Sequence, residues 1–206
     1  MIQGSEEWFA ARLGKPSASK TADVMAKIKS GYGASRANYM MELLCQRLTG
    51  QREEGFTKAA MQRGTDLEPV ARSAYEINTG VMVEEVGFIL HPDGIAFGAS
   101  PDGLVDPDGL LEIKCPNTAT HINFLRTGKP EGKYILQMQS QMACADRQWC
   151  DFVSFDDRLP EQLQYRCVRI NRDAAVISEI LTEVRKFLAE LDALEAETRG
   201  WMSAAA

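Results

Sequence analysis

The sequence predicts a mixed central sheet flanked by helices, in the α/β or α+β class. Three observations lead there. The first third of the chain repeats apolar residues at helical spacing. The middle is cut into short apolar runs by turns such as His91-Pro92-Asp93-Gly94 and Asp106-Pro107-Asp108-Gly109. The last third returns to helix, strand, strand and helix. At 206 residues, 45% hydrophobic and 25% charged, the chain suits one domain with a hydrophobic core.

Taken in order, Glu6 to Leu13 reads as a short helix carrying Trp8, Phe9 and Leu13 inward, closed by the turn Gly14-Lys15-Pro16. Ser17 or Ser19 then caps a second helix running to about Lys27. A loop at Gly31 to Ser35 leads to a strong helix over Ala37 to Leu48. Thr65 or Asp66 caps a helix reaching about Glu76, with Pro69 tolerated near its first turn. Val81 to Leu90, Ile95 to Ala99 (continuing at Gly103 to Val105) and Leu110 to Lys114 read as an antiparallel meander of three strands. A helix over Lys133 to Ala143 follows, then strands at Trp149 to Phe155 and Tyr165 to Ile170, with a turn at Glu161 to Gln164 between them. The last helix, about Arg172 to Arg199, puts Val176, Ile180, Val184, Phe187, Leu191 and Leu194 on one stripe. Residues 1–202 make a single domain, and Ser203 to Ala206 is expected to be a disordered tail.

Composition excludes several classes of protein. No apolar run reaches about 18 residues, so no membrane span is expected. The N-terminus lacks a basic region leading into an apolar stretch, so no secretory signal is expected. Cys45, Cys115, Cys144, Cys150 and Cys167 are odd in number and show no Cys-x-x-Cys spacing. Free thiols in a reducing cytoplasm are therefore expected, rather than disulfides or a zinc site. The net charge of -6 argues mildly against nucleic acid. Clustering decides that question, however, and Lys15, Lys20, Lys27, Lys29, Arg36, Arg63, Lys129 and Lys133 are candidates for one basic face. His91 and His121 have no ligand-spaced partner and are expected at the surface.

The chemistry concentrates in Ser100-Pro101-Asp102-Gly103-Leu104 and Leu111-Glu112-Ile113-Lys114-Cys115-Pro116. Strand side chains alternate, so Glu112 and Lys114 share a face and Ile113 takes the other. The turn at Asp106 to Gly109 folds one half back on the other and brings Asp102 within reach of Glu112. Two carboxylates that close repel, and a divalent cation resolves the repulsion. Acids holding a metal, with a lysine to orient water or offset charge, suit phosphodiester hydrolysis. Glu68, beside Pro69 in an apolar context, is the choice for a third acid.

The spacing of Pro-Asp and Glu-x-Lys resembles the PD-(D/E)xK nuclease superfamily, which implies a restriction-endonuclease-like form of the mixed central sheet. Read end to end, the chain resembles its lambda-type phage exonuclease branch. The matching motifs, in family order, are Trp8-x-x-x-Arg12-Leu13-Gly14 with Ser17-Ala18-Ser19; Arg63-Gly64-x-x-x-Glu68; the two runs above; and Tyr134-x-x-Gln137-x-Gln139. The resemblance implies Glu68, Asp102, Glu112 and the Ile113 carbonyl as metal ligands for two Mg²⁺ ions, with Mn²⁺ as a substitute. It implies Lys114 as the residue that orients or activates water, and Gln137 as the active-site glutamine. It implies a pocket for the 5′-phosphate at Arg12, Ser19 and Ser100. Met61 falls where the family places an apolar wedge against the terminal base pair, a position equally suited to a core methionine. The implied activity is 5′-to-3′ digestion of one strand of linear double-stranded DNA to mononucleotides, leaving a 3′ single strand. The implied partners are DNA ends, a single-strand annealing protein and two further copies in a homotrimeric ring.

Two other readings stand beside this one. An endonuclease or CRISPR-type repair nuclease of the same superfamily often carries a four-cysteine iron–sulfur cluster, which the dispersed cysteines disfavour. A non-catalytic DNA-end-binding subunit would usually have lost a ligand or the lysine, and all four core residues are present here.

Overall fold

The computed structural model describes residues 1–52 and 59–204, except for the side chains of residues 59–61 and 202–204. Helix α1 (Glu6–Arg12) starts at Ser5, whose Oγ accepts from the Trp8 N–H at 3.3 Å. Trp8, Phe9 and Leu13 are only half-buried, not turned fully inward as expected. The expected second helix is broken into a 3-10 turn at Ala18–Lys20 and a single turn, α2 (Thr21–Val24). Neither serine caps it: Ser17 makes no capping bond, and its Oγ lies 3.2 Å from Ser19 Oγ instead. A small hairpin, β1 (Lys27–Ile28) and β2 (Gly31–Tyr32), replaces part of the expected loop; Gly31, at φ 121°, makes the reversal that a side chain would disfavour. Helix α3 (Ala34–Thr49) then runs to Gly50, which ends it in the left-handed region at φ 67°.

Helix α4 (Ala59–Thr79) begins earlier than expected, so neither Thr65 nor Asp66 is a cap and Pro69 lies in its interior. An interior proline costs about 3 kcal/mol or more. Burial of Ala71 and Tyr75 against the sheet offsets it, at about 1.5–3 kcal/mol for a fully buried large apolar side chain.

The strands are β3 (Val83–Glu84), β4 (Ile89–Leu90), β5 (Gly98–Ala99), β6 (Gly103–Val105) and β7 (Gly109–Lys114). Helices α5 (Thr118–Thr127) and α6 (Gly132–Ala145) follow. Then come β8 (Trp149–Phe155), a 3-10 turn at Glu161–Leu163, β9 (Tyr165–Asn171) and α7 (Ala174–Ala204). The main sheet has the order β3-β6-β7-β8-β9, and only β7 and β8 run parallel. The expected meander is corrected here. The Val81 to Leu90 segment divides between two sheets, and β4 and β5 pair apart from the main one. Helix α5 has no counterpart in the sequence reading, although Asn117 caps it at 2.9 Å from the Thr120 N–H and Gly128 closes it. Helix α7 runs through Ser203 and Ala204, and the rest of the expected tail, residues 205–206, lies outside the described residues.

Alternation along β7 sorts the core. Leu111 and Ile113 pack with Ala71 and Tyr75 of α4, while Leu110 packs with Phe124, Met138 and Met142 of α5 and α6. A further helical layer joins Val24, Tyr39, Leu43, Ile180, Val184, Phe187 and Leu191. Among the described residues no helix is long and apolar enough to cross a membrane.

Candidate active site

Strand β7 ends in Glu112, Ile113 and Lys114, between α4 on one face and α6 on the other. Asp102 precedes β6, and its backbone N–H donates to the Leu111 carbonyl at 3.1 Å. Its Oδ2 accepts from the Ile113 N–H at 2.6 Å. The antiparallel register of β6 and β7 therefore sets the spacing of the two motif halves.

Glu112 is 1% exposed, and each of its carboxylate oxygens has a partner. Oε1 accepts from Gln137 Nε2 at 2.7 Å and from the Lys114 ammonium. Oε2 accepts from Gln141 Nε2 at 2.6 Å. Gln137 and Gln141 are one helical turn apart on α6, so both amides meet the same carboxylate. The sequence reading missed Gln141, although its four-residue offset from Gln137 was a signal. Gln139 points elsewhere: its Nε2 donates to the Asn171 carbonyl at 2.8 Å and its Oε1 accepts from the Asp173 N–H at 2.9 Å, ahead of α7.

Glu68 reaches the same place from α4, with Oε1 2.8 Å from Arg72 Nη2. Glu68, Asp102, Ile113 and Lys114 line one open cleft of about 410 Å³, walled also by Gly64, Cys115, Pro116 and Tyr134. Burial, and then the charge of Glu112, push the Asp102 carboxyl well above its usual range. Burial likewise raises Glu68, against the pull of Arg72 and Lys114. For Lys114, burial alone would lower the pKa, but Glu112 and Asp102 outweigh it and hold the ammonium above the lysine range. Lys114 thus stays charged at neutral pH. It is suited to orienting water and offsetting anionic charge, rather than to taking a proton as a base.

The donors fit a hard divalent cation: carboxylate and carbonyl oxygens only, with an Asp102 carboxyl that burial and the neighbouring charges of Glu112 and Glu68 push up. Among the described residues, no three acidic, histidine or cysteine side chains already form a metal cage. Mg²⁺ does not need one, because it is usually held by one or two carboxylates together with water and substrate phosphate. Glu68 and Asp102 are the acids that face the cleft.

Two residues before Asp102, Ser100 Oγ accepts from Trp8 Nε1 at 2.9 Å and from Arg12 Nη1 at 3.3 Å. The Arg12 guanidinium lies 4.1 Å from the centre of the Trp8 ring, and burial lowers its pKa. Arg12, Ser19, Lys15, Lys20 and Arg52 line a second cavity of about 470 Å³. Of the sequence-expected group, Arg12 and Ser19 thus line this cavity together with Trp8, an unanticipated member, and Ser100 joins it only through its bond to Arg12. The side chain of Met61, on α4, lies outside the described residues.

Other expectations fail. His121 is fully buried, not at the surface: its Nδ1 lies 2.7 Å from Ser154 Oγ and its Nε2 lies 2.8 Å from the Leu163 carbonyl. His91 is buried as well. Of the candidates for one basic face, Arg36 is buried and paired with Glu190, the exposed Lys27 pairs with Glu183, and Arg63 pairs with Asp156, so these three charges are offset where they stand. All five cysteines are free thiols.

Residues 7–148 match the family described as the YqaJ-like viral recombinase domain. An alkaline exonuclease from Laribacter hongkongensis, LHK-Exo, is 61% identical and superposes with a TM-score of 0.92, over 98% of this chain and all of its own. The same protein in complex with dAMP superposes at 0.93 over the same extent. A phage-related exonuclease from Haemophilus somnus 129PT, at 19% identity, shares the fold with a TM-score of 0.71 over 89% of this chain and 96% of its own. No protein with a curated description matches.

Proposed function

The chain belongs to the YqaJ-like viral recombinase family, and from that premise we propose that it is a Mg²⁺-dependent exonuclease digesting one strand of linear double-stranded DNA from 5′ to 3′. One observation carries the reading. Glu68, Asp102 and Lys114 share a cleft, and Ser100, two residues from Asp102, is bonded to the arginine of a neighbouring cationic cavity. A cleft suited to the scissile phosphate thus adjoins one suited to a terminal phosphate.

In this reading Arg12, with Ser19 and Ser100, holds the 5′-phosphate through its planar donor fork. A bound divalent cation would polarise the phosphate and make water a better nucleophile. Lys114 orients that water and offsets charge on the phosphoryl oxygens, and Gln137 holds Glu112 in place. Water adds to phosphorus as the bond to the 3′ oxygen of the terminal nucleotide breaks. A mononucleotide leaves, and the shortened strand carries a fresh 5′-phosphate for the Arg12 cavity. The ring of three copies and the annealing protein as partner complete the proposal and rest on the family resemblance alone, while action in the cytoplasm rests on the free cysteines.

The test is digestion of three matched double-stranded DNAs, in Mg²⁺ and in EDTA: linear with 5′-phosphates, linear with 5′-hydroxyls, and covalently closed. Mg²⁺-dependent loss of linear DNA, fastest with 5′-phosphate and sparing the circle, is the expected result. Cutting of the circle would move the protein to the endonucleases, and no cleavage at all would leave a DNA-end-binding role.

A further inference from the structure

Gln141 is fully buried, and its amide is held in one orientation by a single demand. Nε2 donates to Glu112 Oε2 at 2.6 Å, while Oε1 has no hydrogen-bond partner among the described residues. Rotating the amide would satisfy neither end, because it would place the amide oxygen against a carboxylate oxygen. A buried acceptor without a donor is destabilising, and such groups are rare in folded proteins. The unpartnered oxygen is accepted here in return for a donor on Glu112.

The two Glu112 oxygens are served differently. Oε1 has Gln137 and Lys114, while Oε2 has Gln141 alone among the described partners. Without Gln141 the carboxylate would be held at one oxygen only and could pivot about it. We propose that Gln141 is a positioning residue for the cleft, fixing the rotation of the Glu112 carboxylate that Gln137 and Lys114 leave free. It touches no substrate and acts through Glu112. This inference rests on the function proposed above, with Glu112 as the cation ligand that the family resemblance implies.

The test replaces Gln141 with methionine, which keeps the length and volume but removes the donor and the orphaned acceptor together. Four quantities are read on the full chain: thermal midpoint, Mn²⁺ affinity by calorimetry without DNA, and kcat and KM on a 5′-phosphorylated duplex. The expected result for Q141M is a cooperative thermal transition that shows the variant folded, Mn²⁺ binding weaker by about 10- to 100-fold, and kcat lower by a similar factor with KM for DNA unchanged. A second variant, Q141N, keeps an amide too short to reach and should show the same kcat and Mn²⁺ losses. If Q141M fails to fold, Q141N alone decides. Unaltered Mn²⁺ affinity and kcat in a folded variant would overturn the proposal. If the parent protein degrades no DNA, the exonuclease reading falls, while the Mn²⁺ titration still reports on Gln141 and Glu112.

Discussion

The Ile113 N–H donates to Asp102 Oδ2 at 2.6 Å, so the carboxylate of one motif half is fastened to the backbone between Glu112 and Lys114 of the other. Asp102 is thereby positioned by main chain, which no single side-chain change removes. Lys114 and Glu112 depend on side-chain partners, and substitutions there should act sharply.

Lys114→Ala is expected to lower kcat by at least about 100-fold, the scale of losing a preorganised charge from a site. DNA-end binding should persist, because the lysine is not counted among the cation's ligands. Nitrocellulose or gel-shift binding in Ca²⁺, beside a cleavage time course in Mg²⁺, separates the two effects. Full cleavage by the variant would remove the cleft from consideration.

Arg12→Ala is expected to reduce the rate advantage of 5′-phosphorylated over 5′-hydroxyl ends while leaving cleavage of the hydroxyl end close to its parent rate. The ratio of the two initial rates is the readout. An unchanged ratio would show that the cavity at Arg12 holds something other than the terminal phosphate.

His121→Leu tests a structural role. The change leaves Ser154 Oγ and the Leu163 carbonyl without the imidazole that joins them. Ser154 is 1% exposed, and leaving a buried hydroxyl unpaired costs about 1–3 kcal/mol. Urea unfolding should therefore show a midpoint clearly below the parent's, with cleavage retained where the variant is folded.

Glu183 carries an acid-stability prediction. The hydrogen bond from Tyr32, with help from Lys27 and Lys186, lowers its carboxyl pKa from 4.5 to about 2. The folded state binds the proton less readily than the unfolded chain. The stabilisation is therefore complete above about 4.5 and is lost as pH falls toward about 2. Glu183→Gln should flatten the fall of the thermal midpoint across that window. An equally steep fall in the variant would assign the acid sensitivity to other carboxylates.

The site was more legible in the sequence than the fold around it. Asp102, Glu112 and Lys114 were readable because strand alternation and one short turn fix their relation locally. Gln141 was not, because its meaning depends on α6 lying across β7, a contact between distant parts of the chain. Helix α4 was misplaced because Pro69 reads as a boundary, whereas burial of Tyr75 outweighs the local preference. His121 carries no neighbour in sequence that announces Ser154, 33 positions away. The small sheet of β4 and β5 was hidden for a related reason: two-residue strands have too little pattern to reveal which partner they choose.

The parallel pairing of β7 with β8 also governs when activity can arise during synthesis. A chain emerging from the ribosome presents Glu68, Asp102, Glu112 and Lys114 before α6 or β8 has been made. At that stage neither amide that steadies Glu112 exists, and β7 lacks a neighbour on one side. Closing a parallel pair across two helices is a slow, late event in folding. The unfinished polypeptide therefore lacks, until α6 and β8 have been made, both the amides that steady Glu112 and the strand that flanks it.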